Sequence, residues 1–313
     1  MRGKQDHRLR PSPFPAVPGV VAGSTAEGAE LRSVEPVRFQ LAFDGMPDGP
    51  VRVTPARLAA WSACPRRYRF GYVDRPRPPR GPALPHTTLG AVLHNALRAF
   101  YEEPPERRTG ERVRELVRGH WRDDGFADRR HSAEFLVRAQ DWLSEYVERV
   151  AATAKPVGVE KWVSATTGRI IVQGRVDRVD ERDGEFVIVD YKAGKRAPDG
   201  EEARNSLALA LYALALRGMS HVRCRQVELH HLRTAEVVRW RHTADSLAEH
   251  RERAERLARQ SREATAALGR GDSPDRVFPP RPGGQCAGCE FRRHCPEGQR
   301  AVPVVDPRAL LGE

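Results

Sequence analysis

The stretch VQGRVDRVDERDGEFVIVDYKAGK, residues 172–195, constrains the fold more than any other part of the chain. Apolar residues alternate on either side of the polar run Glu181-Arg182-Asp183-Gly184, with Ile171, Val176 and Val179 before it and Phe186, Ile188 and Val189 after it. That pattern predicts two strands joined as a β-hairpin. Asp-Gly favours a two-residue turn, and with such a turn Asp177 stands opposite Asp190. Facing side chains on neighbouring strands sit ~4.5–5.5 Å apart at Cβ. Two like charges so placed are unfavourable unless a cation or a proton lies between them. Lys192, two residues beyond Asp190, points to the same side. A four-residue loop would slide the register and set Asp177 diagonal to Asp190, still on one side of the sheet. Two carboxylates and a lysine therefore share a surface under either register.

The composition points to a polyanionic partner. Of 313 residues, 53 are Lys or Arg and 42 Asp or Glu, a formal net charge of +11 that suits nucleic acid. A GC-rich genome would also enrich arginine, so charge alone decides nothing. With 39% hydrophobic residues the chain can bury a core. The longest apolar run, Leu207 to Leu216, is half the ~20 residues of a membrane span. No membrane partner is expected. The N-terminus breaks its apolar content with Pro11, Pro13, Pro15 and Pro18, unlike a signal peptide, which implies a cytoplasmic protein. Five cysteines in such a chain argue for thiolate ligands or buried thiols rather than disulfides.

Residues 1–50 are rich in Pro, Gly and small residues without periodicity and read as a disordered tail. Thr54-Pro55 opens a predicted helix with Leu58, Trp61 and Tyr68 on one face, a helix that would hold Cys64. Arg75 to Pro85 reads as a linker or irregular loop. Thr87-Thr88 caps a helix bearing Leu89, Leu93, Ala96, Leu97 and Phe100, ended by Pro104-Pro105. It carries His94, which reads alone as a histidine satisfied on a helix face. Helices over 111–121 and 132–150 follow. Next come a strand over 157–163, the hairpin, a helix over 201–216, a strand over 227–232 and a charge-laced helix over 243–268. Glu160 lies in the first of these strands, as an exposed strand charge or an added acid of a site. Tyr212 sits in an all-apolar helix, the usual place of a core tyrosine.

Cys286-Ala287-Gly288-Cys289 and Cys295 form C-x2-C-x5-C, a spacing that folds three thiolates around one centre and needs a fourth ligand. Cys64, in Ser62-Ala63-Cys64-Pro65-Arg66-Arg67-Tyr68, stands far upstream, Cys224 reads as a buried thiol, and His294 is a competing ligand.

The arrangement of Asp177 followed by Asp190-Tyr191-Lys192 resembles the PD-(D/E)XK nuclease superfamily, with Gly174-Arg175-Val176-Asp177 as the first acidic motif. Gly90 and His94 resemble the G-x-x-x-H motif of RecB-type members, in which the histidine helps bind the metal. Glu160 resembles an added acidic residue of such sites. Tyr212 corresponds to the tyrosine of the Q-x-x-x-Y motif, although Ala208 stands where that motif has glutamine, with Arg204 and Asn205 as substitutes for its polar contact. Cys64 with Cys286, Cys289 and Cys295 resembles the one-plus-three pattern of AddB-like nucleases, whose cysteines hold a 4Fe-4S cluster; Zn²⁺ is the alternative.

The resemblance implies an α/β restriction-endonuclease-like core, a mixed central sheet flanked by helices, with a helical insertion and a C-terminal metal-cluster region. It implies a nuclease domain over 51–300 and a C-terminal tail over 301–313. The implied activity is that of a Mg²⁺- or Mn²⁺-dependent exonuclease, preferring single-stranded DNA or free ends, in DNA repair or recombination. Its catalytic residues would be Asp177, Asp190, Lys192, His94, Glu160 and Tyr212, with His94, Asp177 and Asp190 on the metal and Arg175 on phosphates. The alternatives are a CRISPR-adaptation-type nuclease and a non-catalytic nucleic-acid-binding module, toward which Ala208 points. The chain has no G-x-x-x-x-G-K-S/T loop, so unwinding would need a helicase or CRISPR partner chain.

Overall fold

The computed structural model describes residues 49–151 and 154–312. Six strands build one mixed sheet: β1 (Val51–Val53), β2 (Pro156–Thr167), β3 (Ile170–Arg182), β4 (Glu185–Lys192), β5 (Arg223–His231) and β6 (Glu236–Arg241). The helices are α1 (Pro55–Ala63), α2 (Pro65–Tyr68), α3 (Pro85–Glu102), α4 (Gly110–His120), α5 (Arg129–Tyr146), α6 (Gly200–Asn205), α7 (Leu207–Ser220), α8 (Ala244–Gly269), α9 (Pro274–Val277), α10 (Pro296–Ala301) and α11 (Pro307–Leu311). This is the mixed, helix-flanked sheet that the sequence predicts.

Strand β3 is the spine. Along one edge it pairs antiparallel with β2. Along the other it meets β1 in parallel at Ile170 to Val172 and β4 antiparallel from Arg178 to Arg182. Between those segments, Gln173 to Asp177 has no strand on that edge among the described residues. The gap positions the site. β4 continues into β5 in parallel and β5 into β6 antiparallel.

The hairpin turn is the two-residue one. Asp183 and Gly184 have φ of 52° and 72°, the left-handed pair that an Asp-Gly turn supplies. Arg178 consequently pairs with Val189 and Arg182 with Glu185, which rules out the four-residue loop. Carried one step further, this register sets Asp177 against Asp190.

Several element bounds differ from the sequence reading, each for a local reason. Helix α3 starts at Pro85 with Leu84 as its N-cap, ahead of the Thr87-Thr88 cap expected, because proline at the first helical position needs no N–H partner. It ends at Glu102, since Pro104 disfavours helical backbone at Glu103. Cys64 is not inside a helix. Pro65 pushes it to extended backbone, φ −162° and ψ 113°, so the helix splits into α1 and α2 around it. The helix expected over 201–216 is likewise two, because Ser206 leaves the helix and its hydroxyl accepts from Leu209 N at 3.4 Å. Strands β1 and β6 were not expected, and β2 runs on to Thr167.

One buried cluster joins α3, α4 and α5 to Val189 and Tyr191 of β4. Its α3 stripe is Leu89, Val92, Leu93, Ala96, Leu97 and Phe100, helical spacing on one face. Residues 301–312 contain α11, whose Leu311 is buried in that cluster. The tail expected over residues 1–50 lies outside the described residues apart from its last two. No helix of the described residues is long and apolar enough to cross a membrane.

Candidate active site

Where β3 and β4 part, Asp177 turns away from the ladder, and its Oδ2 accepts from the backbone N–H of Tyr191 at 3.0 Å. His94, from the middle of α3, brings Nδ1 to 3.5 Å from Asp177 Oδ1. The ring of Tyr191 stands edge-on to His94 with centroids 5.6 Å apart. Glu160 enters from β2, whose register places its neighbours Val159 and Lys161 opposite Arg178 and Val176, to either side of Asp177. Its φ of 49° is left-handed, an unusual conformation for glutamate in a strand and of a kind that concentrates at functional sites.

The result is a trio. One ligand atom each from His94, Glu160 and Asp177 lies within 4.8 Å of the others, the one such set of His, Cys, Asp or Glu among the described residues. It brings together three of the residues the sequence singled out, His94, Asp177 and the added acid Glu160, while Asp190 is not in the set. Asp190 instead has Lys192 Nζ 2.9 Å from its Oδ2. Arg175, expected on phosphates, brings Nε to 2.5 Å from Glu160 Oε2.

Charge crowding shows in the acid–base behaviour. Burial pushes the Asp190 carboxyl above the usual range, opposed by Lys192 and reinforced by Asp177. Glu160 is raised by burial too, with Arg175 opposing and Asp177 adding to it. For His94 burial favours the neutral ring, but the bond to Asp177 and the charges of Asp177, Asp190 and Glu160 outweigh it and raise its pKa. Burial likewise works against the Lys192 ammonium, and Asp190 outweighs it. Three carboxylates in one cleft thus strain toward positive charge, and oxygen donors with one imidazole suit a hard divalent cation.

Tyr212 of α7 reaches the same region. Its phenol is pushed up to about 12 by burial and by Asp190 and Asp177. A Cβ at Gly174 would lie 2.7 Å from both Cε1 and Oη of Tyr212, so the first acidic motif needs its glycine to admit this ring. Arg204 and Asn205 are engaged elsewhere, over the Trp240 ring and on Glu201.

A second set of residues was not singled out from the sequence. Arg178, 1% exposed, donates through Nη2 to Asp180 Oδ2 at 3.1 Å and through Nη1 to the hydroxyls of Tyr101, Tyr146 and Tyr191. Arg182 joins Asp180 to Glu228, and Glu228 meets His230 Nε2 at 2.9 Å. His230 Nδ1 closes the chain on Tyr146 at 2.8 Å. The guanidinium therefore holds the ring of the residue that lies between Asp190 and Lys192. The tandem Arg-Val-Asp of residues 175–180 was the available signal, since it places a second charged pair between buried valines.

Cys64, Cys286, Cys289 and Cys295 line one cavity, with Arg66, Phe70 and Phe291 among its walls. Two Cys-Pro pairs shape it alike: Cys64 and Cys295 are each the extended N-cap of a short helix whose first residue is proline. Their sulfurs accept N–H groups, Cys64 from Arg281 N at 3.4 Å and Cys295 from Gly298 N at 3.4 Å. Arg66 Nη1 adds a contact to Cys295 at 3.8 Å. His294 turns away, its Nε2 2.9 Å from the carbonyl of Pro79. Cys224 is buried in β5, where burial pushes its thiol up to about 12.

Among solved structures, SSO0001 aligns with 12% identity over 82% of this chain and 90% of its own, at a TM-score of 0.34. No curated protein matches the chain. A family model does match, that of the PD-(D/E)XK nuclease superfamily, over residues 52–296. On that match, which takes in both acidic motifs and all five cysteines, the chain belongs to the PD-(D/E)XK nuclease superfamily.

Proposed function

We propose that the protein is a Mg²⁺- or Mn²⁺-dependent deoxyribonuclease of the RecB exonuclease type, acting on single-stranded DNA or free ends in repair or recombination. The observation that carries this reading is the His94, Glu160 and Asp177 trio, with its ligand atoms within 4.8 Å, beside the Asp190–Lys192 pair. His94, Glu160 and Asp177 would hold the cation, with Asp190 completing its oxygen shell. When bound, that cation neutralises phosphate charge and acidifies water. Lys192 Nζ, held by Asp190, orients the attacking water and meets negative charge developing on the phosphate. Tyr191 N–H fixes the Asp177 carboxylate, and Arg175 meets the backbone without reading sequence.

The four cysteines support a structural 4Fe-4S cluster of the AddB-like kind. They line one cavity, and four thiolates can also close a tetrahedral Zn²⁺ site, which is the alternative.

End-labelled single- and double-stranded DNA incubated with Mg²⁺ or Mn²⁺ tests the reading. Short products from single strands, lost with a chelator, are expected; intact DNA under every metal condition would end it.

A further inference from the structure

Among the described residues few large apolar side chains are well exposed, and Trp162 is one, at 58%. Its place gives it meaning. The register sets Trp162 directly across from Arg175, so both side chains rise from one side of the sheet. Arg175 is 62% exposed, and its Nε contacts Glu160, two residues before Trp162 on β2. Two residues of strand span ~6.8 Å. An exposed indole and a guanidinium thus stand beside a carboxylate of the trio. Gln173 and Ser164, the next pair on that side of the two strands, bond to each other at 3.2 Å, so this surface is polar beside the indole.

An isolated exposed aromatic on a polar face gains little from burial within its own chain. Beside a cleft built of carboxylates it has a chemical use. Bases of an unpaired strand offer free π faces, whereas bases in a duplex are covered by their neighbours. Arg175 and the net charge of +11 complement the strand's phosphates.

We propose that Trp162 is a stacking platform for an unpaired nucleobase, with Arg175 meeting the phosphate of the same strand as it approaches Glu160 and Asp177. The inference rests on the nuclease reading and deepens it, because stacking selects single strands without selecting sequence. Trp162 is then a specificity-determining residue.

The test is fluorescence anisotropy in metal-free buffer, where no cleavage occurs, with labelled oligothymidylate, an abasic oligomer of the same length and a duplex. Wild type should bind the thymidylate more tightly than the abasic strand. Trp162→Ala should weaken thymidylate binding roughly 5- to 150-fold and leave the abasic strand and the duplex unchanged. Trp162→Phe should retain most of the affinity. Equal loss on both single strands, no loss in Trp162→Ala, or a wild type indifferent to the bases would overturn the proposal. Wild type that discriminates in this way but cuts no DNA with Mg²⁺ or Mn²⁺ would end the nuclease reading and leave the platform standing.

Discussion

The backbone N–H of Tyr191 donates to Asp177 Oδ2 at 3.0 Å and joins the two acidic motifs where the sheet ladder between them stops. Orientation of the first carboxylate is therefore set by the chain between Asp190 and Lys192. Side chains on β3, β4 and α3 converge where β3, among the described residues, has no strand on its β4 edge from Gln173 to Asp177, while β2 covers the other edge.

Asp190→Asn and Lys192→Ala should each reduce cleavage on the order of 10²–10⁴-fold, since both act on the charge and protons of the reacting water. DNA binding should persist, and Asp190→Asn should strengthen it by removing a negative charge. Rates with labelled oligonucleotides, paired with binding measured in metal-free buffer, separate the two effects. Wild-type rates in both variants would show that the chemistry lies elsewhere.

Gly174→Ala should destabilise the fold by about 1–3 kcal/mol, because its Cβ would stand 2.7 Å from Tyr212. Adding Tyr212→Ala removes the clash, so the double variant should lose less than the sum of the single losses by at least ~0.5 kcal/mol. Urea unfolding of the four proteins measures this coupling. Strict additivity would mean that the ring already moves aside.

Much of this was legible locally. The Asp183-Gly184 turn is written in two residues able to take positive φ, and it fixes the register that, one step past the Arg178–Val189 pair, sets Asp177 against Asp190. Helix α3 shows as a stripe with prolines at both ends. The closeness of Glu160 to Asp177 was half legible, because it depends on how β2 lies against β3 and on a left-handed glutamate. Arg178 was hidden for a different reason. A charge in an alternating strand reads as solvent-facing, but here both faces of β3 are covered at that point and three tyrosines and Asp180 solvate the cation. Strand β6 escaped because its turn uses Ala235 at φ 54° where glycine would have announced it.

Arg178→Met should cost about 3–5 kcal/mol, the usual loss when one partner leaves a buried ion pair. Tyr101→Phe, which keeps the ring and drops one hydroxyl, should cost only about 1 kcal/mol. Denaturant midpoints at neutral pH compare them. Equal small losses would show that the cage is not organised around the guanidinium.

Acid should destabilise the protein through His242. Burial, helped by repulsion from His250, lowers its pKa from 6.5 to about 4. Between those values the unfolded chain binds the proton and the folded one does not, so stability is full above about pH 6.5 and falls as pH drops toward 4. His242→Gln should flatten this part of the profile and can keep the bond that His242 Nδ1 makes with Ser246 Oγ at 3.0 Å. An unchanged slope between pH 6.5 and 4 in that variant would assign the effect to other groups.

The cysteine site should be structural. Cys64 and Cys286 lie 222 positions apart, so the proposed inorganic core would close almost the whole described domain into one loop. For a covalent link around ~100 residues the chain-entropy model gives roughly 4.7 kcal/mol, less any strain. Against a typical stability of ~5–15 kcal/mol that is a large share. Cys64→Ser, Cys286→Ser, Cys289→Ser and Cys295→Ser should each give colourless, poorly folded protein. Cys224→Ser should keep its colour, because that thiol sits inside β5, away from the cavity the other four line. Anaerobic purification followed by iron, sulfide and zinc analysis decides the chemistry. About four irons with matching sulfide are expected, whereas one zinc without sulfide would replace the cluster with a single ion, and loss of metal in Cys224→Ser alone would overturn the ligand set.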